Sequence, residues 1–399
     1  MQLDTRSVLP SDVDRATLIG RAWVPGLHNK QTEGGASPVL VDQDRVWDLS
    51  RVAPTVSQLL NLMEPARVAR HAVTSGWARR LGDIGDLIEN SHADKRDPAH
   101  PYLLAPCDLQ AVRACGVTFV SSMVERVIEE HAKGDPQKAE EIRSSIGAEI
   151  GAGIATVKPG SADAKRLKES LIKRNLWSQY LEVGIGPDAE VFNKAQPLSA
   201  VGLGAEIGIR ADSSWNNPEP EVVLAINRAG DIVGASLGND VNLRDFEGRS
   251  ALLLGKAKDN NASCAIGPFI RLFDRHYGLD DLRRTDIHIE IAGPEGYKLT
   301  GESHLSNISR DPLDLASQAV NRTHQYPDGT MLFLGTQFAP VQDRDEPGKG
   351  FTHKVGDVVS IRADALGMLM NRVNYCDKIA PWTYGIADLM RNLVSRGLL

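Results

Sequence analysis

The stretch PEPEVVLAINRAGDIVGASLGND, residues 218–240, predicts the β-hairpin on which the fold is built. Two β-rich runs flank an Ala-Gly pair, which is typical of a two-residue turn. If Arg228 pairs with Asp231 and the register continues, Asp240 lies directly opposite Glu219. The hairpin therefore brings acidic residues from its two ends together.

Side chains alternate along a strand, so this register places Glu219, Glu221 and Asp240 on one face. Three neighbouring carboxylates repel each other unless a cation lies between them. A set of oxygen ligands alone favours Mg²⁺, with Mn²⁺ or Ca²⁺ as alternatives. The competing interpretation is a solvated acidic face on an edge strand, which Pro218 and Pro220 would also permit.

The rest of the chain predicts an α+β fold with a mixed β-sandwich or roll. After residue 185, short β-rich runs follow one another without alternating helices, unlike a doubly wound sheet. We expect a smaller N-terminal α/β domain over 1–110 and a catalytic β-roll domain over 111–375. Helical patterns predict a lid insertion at about 121–181, and the tail 376–399 is predicted to be helical.

Composition excludes several classes of protein. The 399 residues include 45 Lys and Arg against 52 Asp and Glu, a net charge of −7, which argues against nucleic acid or anionic lipid as a partner. No apolar run approaches the length of a membrane span. Four scattered cysteines without a CxxC motif are typical of a reduced, cytoplasmic protein.

Over about 116–373 the chain resembles the fumarylacetoacetate hydrolase family. The resemblance rests on the order and spacing of eight segments: GVTFVSSMVER, EVFNKAQP, EPEVVLAI, LGNDVNLRD, AKDNNASCAIGP, GESHLSNIS, GTMLFLGT and VGDVVSIRADALGMLMNRV. It implies the mixed β-sandwich roll of that family, a divalent metal on the three carboxylates above, and Lys258 beside the metal. The family's lysine stands ten residues before a Gly-Pro proline, which selects Lys258, ten before Pro268, over Lys256.

One departure from the family's pattern carries functional information. Hydrolases of the family have Tyr, His and Glu at three-residue spacing, where this chain has Phe119, Ser122 and Glu125. The histidine that would activate water is missing, which argues against simple hydrolysis. Several segments, IRADSSWNNPEPE among them, instead resemble the sugar-acid branch, the 2-keto-3-deoxy-pentonate dehydratases, and most closely those acting on 2-keto-3-deoxy-D-xylonate.

This resemblance implies a magnesium-dependent hydro-lyase that converts a small 2-keto acid to 2-oxoglutarate semialdehyde in pentose catabolism, such as D-xylose degradation. We expect Lys258 to act as a base or an orienting donor, Glu125 to act as an acid from the lid, and Ser122 to bind a substrate hydroxyl. Further substrate contacts are expected from four residues: Lys194, Thr336, Ser306 and Phe119.

Two other functions fit the same residues. An acylpyruvate or fumarylacetoacetate-type hydrolase, or an oxaloacetate decarboxylase, would use the same metal. A non-catalytic protein would hold a structural Ca²⁺ on the carboxylates. The tail, with Leu389, Leu393 and Val394 among its apolar positions, is expected to dock on the core or on another subunit, so we expect a homodimer or homotetramer.

Overall fold

The computed structural model describes residues 3–26, 33–133, 135, 137–143, 154, 157–174, 176–338, 340–347 and 349–399. The predicted helical break at Gly134 and Pro136, and the continuation of that helix from residue 144 to 150, lie outside the described residues. Each described helix is too short or too polar to cross a membrane.

The described strands, in chain order, are β1 Leu18–Val24, β2 Gly35–Asp42, β3 Arg45–Asp48, β4 Arg79–Asp83, β5 Tyr102–Leu104, β6 Ala111–Gly116, β7 Glu190–Ala195, β8 Glu206–Ile209, β9 Asn216–Asn217, β10 Pro220–Ile226, β11 Ile232–Asp240, β12 Asn242–Leu243, β13 Cys264–Leu272, β14 Asp286–Ala292, β15 Lys298–His304, β16 Thr330–Phe333, β17 Val358–Ala363 and β18 Gly367–Tyr375.

The described α-helices are α1 Thr5–Val8, α2 Val56–Leu60, α3 Pro65–Thr74, α4 Ile84–Asn90, α5 Val120–Ala132, α6 Ala162–Lys173, α7 Gln179–Ile185, α8 Arg244–Glu247, α9 Leu254–Lys258, α10 Leu279–Leu282, α11 Pro312–Ala319 and α12 Ile386–Ser395. Short 3₁₀ helices form at Ala251–Leu253 and Leu305–Asn307. Ser161 caps α6 by accepting a hydrogen bond from the Ala164 amide, as its type and position predict.

Two mixed sheets form a sandwich. The larger has the order β4-β3-β2-β1-β13-β11-β10-β16-β6-β7, with β5 beside β1, and is antiparallel except between β16 and β6. The smaller has the order β15-β14-β17-β18-β8, and β9 pairs with β12 separately. The fold therefore has the mixed sheets with helices that the sequence predicts.

Strand β10 is buried on both faces. Val222 and Leu224 belong to the core between the two sheets, together with Leu369 of β18. Val223 belongs to a second core on the other side of the large sheet, where Leu59 of α2 packs. Burial on both sides explains why β10 is an uninterrupted apolar run rather than an alternating one.

The predicted hairpin register is confirmed. Pro220 pairs with Asn239, Glu221 pairs with Gly238, and the Asp240 amide donates a 3.0 Å hydrogen bond to the Glu219 carbonyl. The ends of the hairpin therefore meet as the sequence predicts.

The prediction of a two-residue turn within this hairpin is wrong. The Asn227 amide donates a 3.0 Å hydrogen bond to the Asp231 carbonyl, which leaves a three-residue loop ending at Gly230 with a φ of +89°. Ile226 pairs with Ile232, but Ala225 pairs with Gly234, so β11 contains one extra residue. This bulge offsets the longer loop and restores the predicted pairing at the acidic end.

The first 110 residues supply strands to the large sheet. β1 pairs with β13 through Leu18–Arg271 and Ile19–Ile270, so β1 to β4 continue the sheet that carries the acidic hairpin. The β2–β3 hairpin forms as predicted, with Gln43 in its turn at a φ of +57°. A domain boundary near residue 110 stays a prediction.

Helices cover two regions near the sandwich. Helices α5, α6 and α7, which lie in or next to the predicted lid insertion, share an apolar cluster that includes Met123, Leu171 and Leu181. In the tail, helix α12 is shorter than the predicted helical tail 376–399 and buries Leu389 and Leu393. Val394 is 62% exposed and does not pack with Leu389 and Leu393 against the rest of the protein.

Candidate active site

Three carboxylates meet at the end of the β10–β11 hairpin. Glu219, Glu221 and Asp240 are buried, and each offers an oxygen within 4.8 Å of the others. The hairpin register produces this cluster, because Glu219 and Asp240 are cross-strand neighbours and Glu221 lies two residues farther along β10. The predicted metal triad is therefore brought together.

Cations and one backbone amide hold the triad in place. Lys258, at the end of α9, contacts Glu219 and lies 3.2 Å from Asp240 Oδ2. Arg126 Nη2 of α5 lies 2.7 Å from Glu219 Oε1. The Gly335 amide donates a 2.6 Å hydrogen bond to Glu221 Oε2.

The charge of the cluster fits a divalent cation. Burial, with repulsion from Asp240 and Glu219, raises the pKa of Glu221 well above its ordinary value. In the described structure the centre contains five carboxylates and three cations: Glu190, Glu219, Glu221, Asp240 and Glu247 against Arg126, Lys194 and Lys258. Carboxylates therefore outnumber cations at the centre, and a divalent cation would relieve the repulsion that disfavours the ionised Glu221. Carboxylate oxygens are the ligands that Mg²⁺ prefers.

A small cavity of about 20 Å³ borders the triad. Of the predicted residues outside the triad, Lys258, Ser122 and Thr336 line it. Burial alone would lower the pKa of Lys258, but Asp240 and Glu219 raise it above its ordinary value. The ammonium form is therefore favoured, which suits a donor better than a base.

Ser122 also has a structural task. Its hydroxyl donates a 2.8 Å hydrogen bond to the Phe119 carbonyl and accepts one from the Phe119 amide at 3.3 Å. These contacts close the first turn of α5. The hydroxyl is thus fixed at the wall of the cavity.

Glu190 is a cavity residue that the sequence reasoning missed. It is the first residue of β7, and neither a hydrogen bond nor an ion pair reaches its side chain from the residues that the structure describes. Burial, with the nearby Glu247 carboxylate, raises the pKa of Glu190 to about 7. A free carboxyl group that titrates near neutral pH can accept or return a proton. Its place at the start of EVFNKAQP was the only available signal.

Arg126 and Glu247 were also missed. Arg126 Nη1 lies 2.6 Å from Glu129 and 2.8 Å from Glu247 of α8, in addition to its contact with Glu219. Arg244 of α8 lies 2.6 Å from Glu129 in turn. These buried ion pairs attach helix α5 directly to the candidate metal site.

Glu125 does not lie where an acid from the lid would be needed. It is absent from the wall of the cavity and binds Arg143 at 2.8 Å and Arg244 at 3.2 Å. Burial would raise the pKa of Glu125, but the hydrogen bond from Arg143 and the charge of Arg244 lower it below its ordinary value. Glu125 is therefore held ionised in the lid, so its acid role stays a prediction that this placement does not support.

Three expected substrate contacts lie outside the cavity. Lys194 is fully buried behind Asp240, 2.9 Å from Oδ1, and donates to the Val241 carbonyl at 3.2 Å. Phe119 is buried in the core between the sheets. Ser306 is exposed on its 3₁₀ turn. The cavity is thus lined by fewer of the family-matched residues than the resemblance implies.

Comparison with known proteins identifies relatives of this chain. Residues 173–374 match the model for the fumarylacetoacetate hydrolase C-terminal family. A Haloferax volcanii protein named probable 2-keto-3-deoxyxylonate dehydratase is 31% identical over 327 residues, 82% of this chain and 91% of that protein. A Saccharolobus solfataricus 2-dehydro-3-deoxy-D-arabinonate dehydratase is 34% identical over 190 residues, 48% of this chain and 60% of that protein.

Solved structures share the fold. A 2-keto-3-deoxy-D-arabinonate dehydratase complexed with magnesium and 2,5-dioxopentanoate superposes with a TM-score of 0.58 at 21% identity, covering 90% of this chain and 99% of that one. A fumarylacetoacetate hydrolase from Exiguobacterium antarcticum superposes with a TM-score of 0.51 at 17% identity, covering 90% and 100%. The family match and the near full-length relative lead to one conclusion: this chain belongs to the fumarylacetoacetate hydrolase family.

Proposed function

We propose that the protein is a magnesium-dependent dehydratase of a 2-keto-3-deoxy sugar acid, with 2-keto-3-deoxy-D-xylonate as the substrate and 2-oxoglutarate semialdehyde (2,5-dioxopentanoate) as the product. The observation that carries the proposal is one cavity that joins the carboxylate triad to Lys258 and Glu190. The names of the relatives support the same reaction class.

Glu219, Glu221 and Asp240 would hold the ion, because they are buried and close together, and because their mutual repulsion favours a cation between them. When bound, magnesium supplies Lewis-acid stabilisation for negative charge that develops on a 2-keto acid. Manganese or calcium would fit the same oxygen ligands.

Glu190 and Lys258 perform complementary tasks in this proposal. The Glu190 carboxylate accepts a proton from C3 of the substrate, and the electron pair becomes an enolate. Lys258, held protonated by its carboxylate neighbours, donates a hydrogen bond that orients the acid end of the substrate. The C4 hydroxyl then leaves with the proton returned by Glu190, so that one water is released and a C3–C4 double bond forms. Loss of a proton from C5 with protonation of C3 then gives a C4–C5 enol. Transfer of its hydroxyl proton to C4 completes the semialdehyde.

The composition of the cavity wall favours elimination over hydrolysis. Among the described residues that line it, none is a histidine, and Ser122 stands where hydrolases of the family carry one. The free carboxyl group in the wall, Glu190, lies in the cavity beside the triad. The site thus offers a proton acceptor for carbon without the imidazole that would activate water.

The test is an assay of the purified protein, loaded with magnesium, on 2-keto-3-deoxy-pentonates. We expect mass spectrometry to show loss of one water and formation of the semialdehyde. The Glu221→Gln variant, which keeps the side-chain shape and removes a ligand charge, should be inactive and should bind magnesium weakly by calorimetry. Chain cleavage instead would identify a hydrolase or decarboxylase, and no turnover with intact metal binding would identify a structural cation site.

Assembly and location are further parts of this proposal. A cytoplasmic homodimer or homotetramer agrees with the cysteine usage and with the apolar face of the tail helix, where Met390 and Val394 are exposed. Light scattering of the purified protein measures the number of subunits.

A further inference from the structure

Gly116 lies directly beneath the Glu190 side chain. It is the last residue of β6 and pairs across the sheet with Glu190, the first residue of β7. A Cβ placed on Gly116 would lie 1.9 Å from Glu190 Oε2 and 2.8 Å from its Cδ. Both distances are far inside van der Waals contact. The carboxylate therefore occupies space that any other residue at 116 would fill.

We propose that Gly116 is a positioning residue: its missing side chain lets the Glu190 carboxylate fold back over β6 and enter the cavity beside the metal triad. The proposal rests on the proposed function, because it concerns the group that accepts the C3 proton. It adds a requirement on a residue that acts through another side chain.

The backbone at Gly116 cannot easily move to relieve the contact. On one side the ladder between β6 and β7 holds Cys115 opposite Val191. On the other side Val117 has a φ of +57°, which is unusual for a β-branched residue and fixes the turn into helix α5. A methyl group at 116 would therefore displace the flexible Glu190 side chain rather than the strand.

The backbone conformation of Gly116 does not itself require glycine. Gly116 is absent from the described glycines with positive φ, so alanine adopts the same backbone without strain. The space taken by Glu190 is then the remaining reason for a glycine here. Gly116→Ala should keep the fold and move one carboxylate.

The experiment measures activity, magnesium binding and melting for Gly116→Ala. We expect kcat to fall at least about a hundredfold, the scale for losing a proton-transfer group, with KM and magnesium affinity unchanged. Gly82→Ala is the matched control, because Gly82 is also a strand glycine and its added Cβ would meet nothing within 4 Å. The control should keep full activity.

A second variant separates positioning from a structural role. Glu190→Ala removes the carboxylate that the added methyl group at position 116 would strike. The double variant Gly116→Ala/Glu190→Ala should therefore have the same melting temperature as Glu190→Ala alone, and a kcat no lower than that of Glu190→Ala. If Gly116→Ala does not fold, this double variant should restore folding. A double variant that still fails to fold, or that is slower than Glu190→Ala, overturns the proposal.

The outcomes distinguish this inference from the proposed function. Full activity of Gly116→Ala with an inactive Glu190→Ala overturns the positioning role and leaves the dehydratase mechanism. An active Glu190→Ala overturns the catalytic task of Glu190 and the positioning role with it. Loss of magnesium binding in Gly116→Ala means that the glycine supports the triad instead, which also overturns the proposal.

Discussion

The pKa of the Glu190 carboxyl group is set by its surroundings. Burial and Glu247 raise its pKa to about 7, while Arg126 and Lys258 oppose them. Only the ionised form accepts a proton from carbon, so activity should increase as the pH rises through about 7. We expect kcat/KM to have an acidic limb with its midpoint there, and Glu190→Gln to lower kcat at least about a hundredfold and remove the limb.

The matched control for this variant is Glu290→Gln, since Glu290 is an exposed carboxylate on β14. It should retain both the rate and the acidic limb. A pH profile with an unchanged limb in Glu190→Gln would assign the titrating group to another residue.

Single residues differ in how far the sequence predicts them. The triad could be predicted because cross-strand register and side-chain alternation are local rules that hold near a turn. The position of Lys194 behind the triad could not be predicted. Lys194 is the extra residue of a bulge between the pairs Val112–Ala195 and Arg113–Asn193. The bulge re-aims its side chain away from the cavity, and no sequence signal marks it.

At the scale of elements, the predicted pairing at the acidic end of the hairpin is correct, although the predicted turn is not. The loop at Gly230 is one residue longer than predicted, and the extra residue in β11 offsets it before Glu219 and Asp240 are reached. Loop length and bulges both follow from backbone twist, which depends on the neighbouring strands as well as on the turn residues. The pairing was therefore predictable, and the path of the loop was not.

Helix α5 is attached to the site by buried charges as well as by apolar contacts. Arg244 lies 2.6 Å from Glu129 and 3.2 Å from Glu125, and it stacks on Trp215 at 4.3 Å. Arg244→Met leaves buried carboxylates without this partner, a change that costs about 3–5 kcal/mol in comparable pairs. We expect faster amide hydrogen exchange in Val120–Ala132 and a lower kcat.

The control for this prediction is Arg143→Met. Arg143 binds the same Glu125 but is partly exposed, so its loss should change exchange less. Equal protection of Val120–Ala132 in wild type and Arg244→Met would contradict the attachment of the helix by ion pairs.

At the scale of the whole molecule, the tail connects the last residues with the first strands. Leu389 and Leu393 are buried next to Leu198, and Asn392 donates a 2.7 Å hydrogen bond to the Gly34 carbonyl. Deleting 381–399 should destabilise the fold by on the order of 4 kcal/mol, from two buried leucines. Thermal melting measures the loss, and light scattering measures any change in assembly.

Arg391→Lys is the matched control for the deletion, because Arg391 is exposed on the same helix and the substitution keeps its charge. It should keep the melting temperature of the wild type. A truncated chain that melts like the full chain would contradict docking of the tail on the core.

The sandwich could be predicted from the run of short strands, but the continuity of its larger sheet could not. β1 pairs with β13, which is far away along the chain, and nothing in the local pattern of either strand selects the other. Such pairing depends on which apolar faces remain to be buried after the local elements form. The pairing of β1 with β13 therefore lies beyond what the local sequence pattern predicts, and the predicted unit over 1–110 contributes strands to the shared sheet.

If the carboxylate triad holds magnesium as proposed, the ion has a consequence for the lifetime of the protein. An ion that binds only the folded chain stabilises it by mass action, by about 2.7 kcal/mol at a concentration one hundred times its Kd. When free magnesium becomes scarce, a larger share of the molecules is unfolded and open to proteases. We therefore expect a cell short of magnesium to contain less of the protein, as well as to have less of its activity.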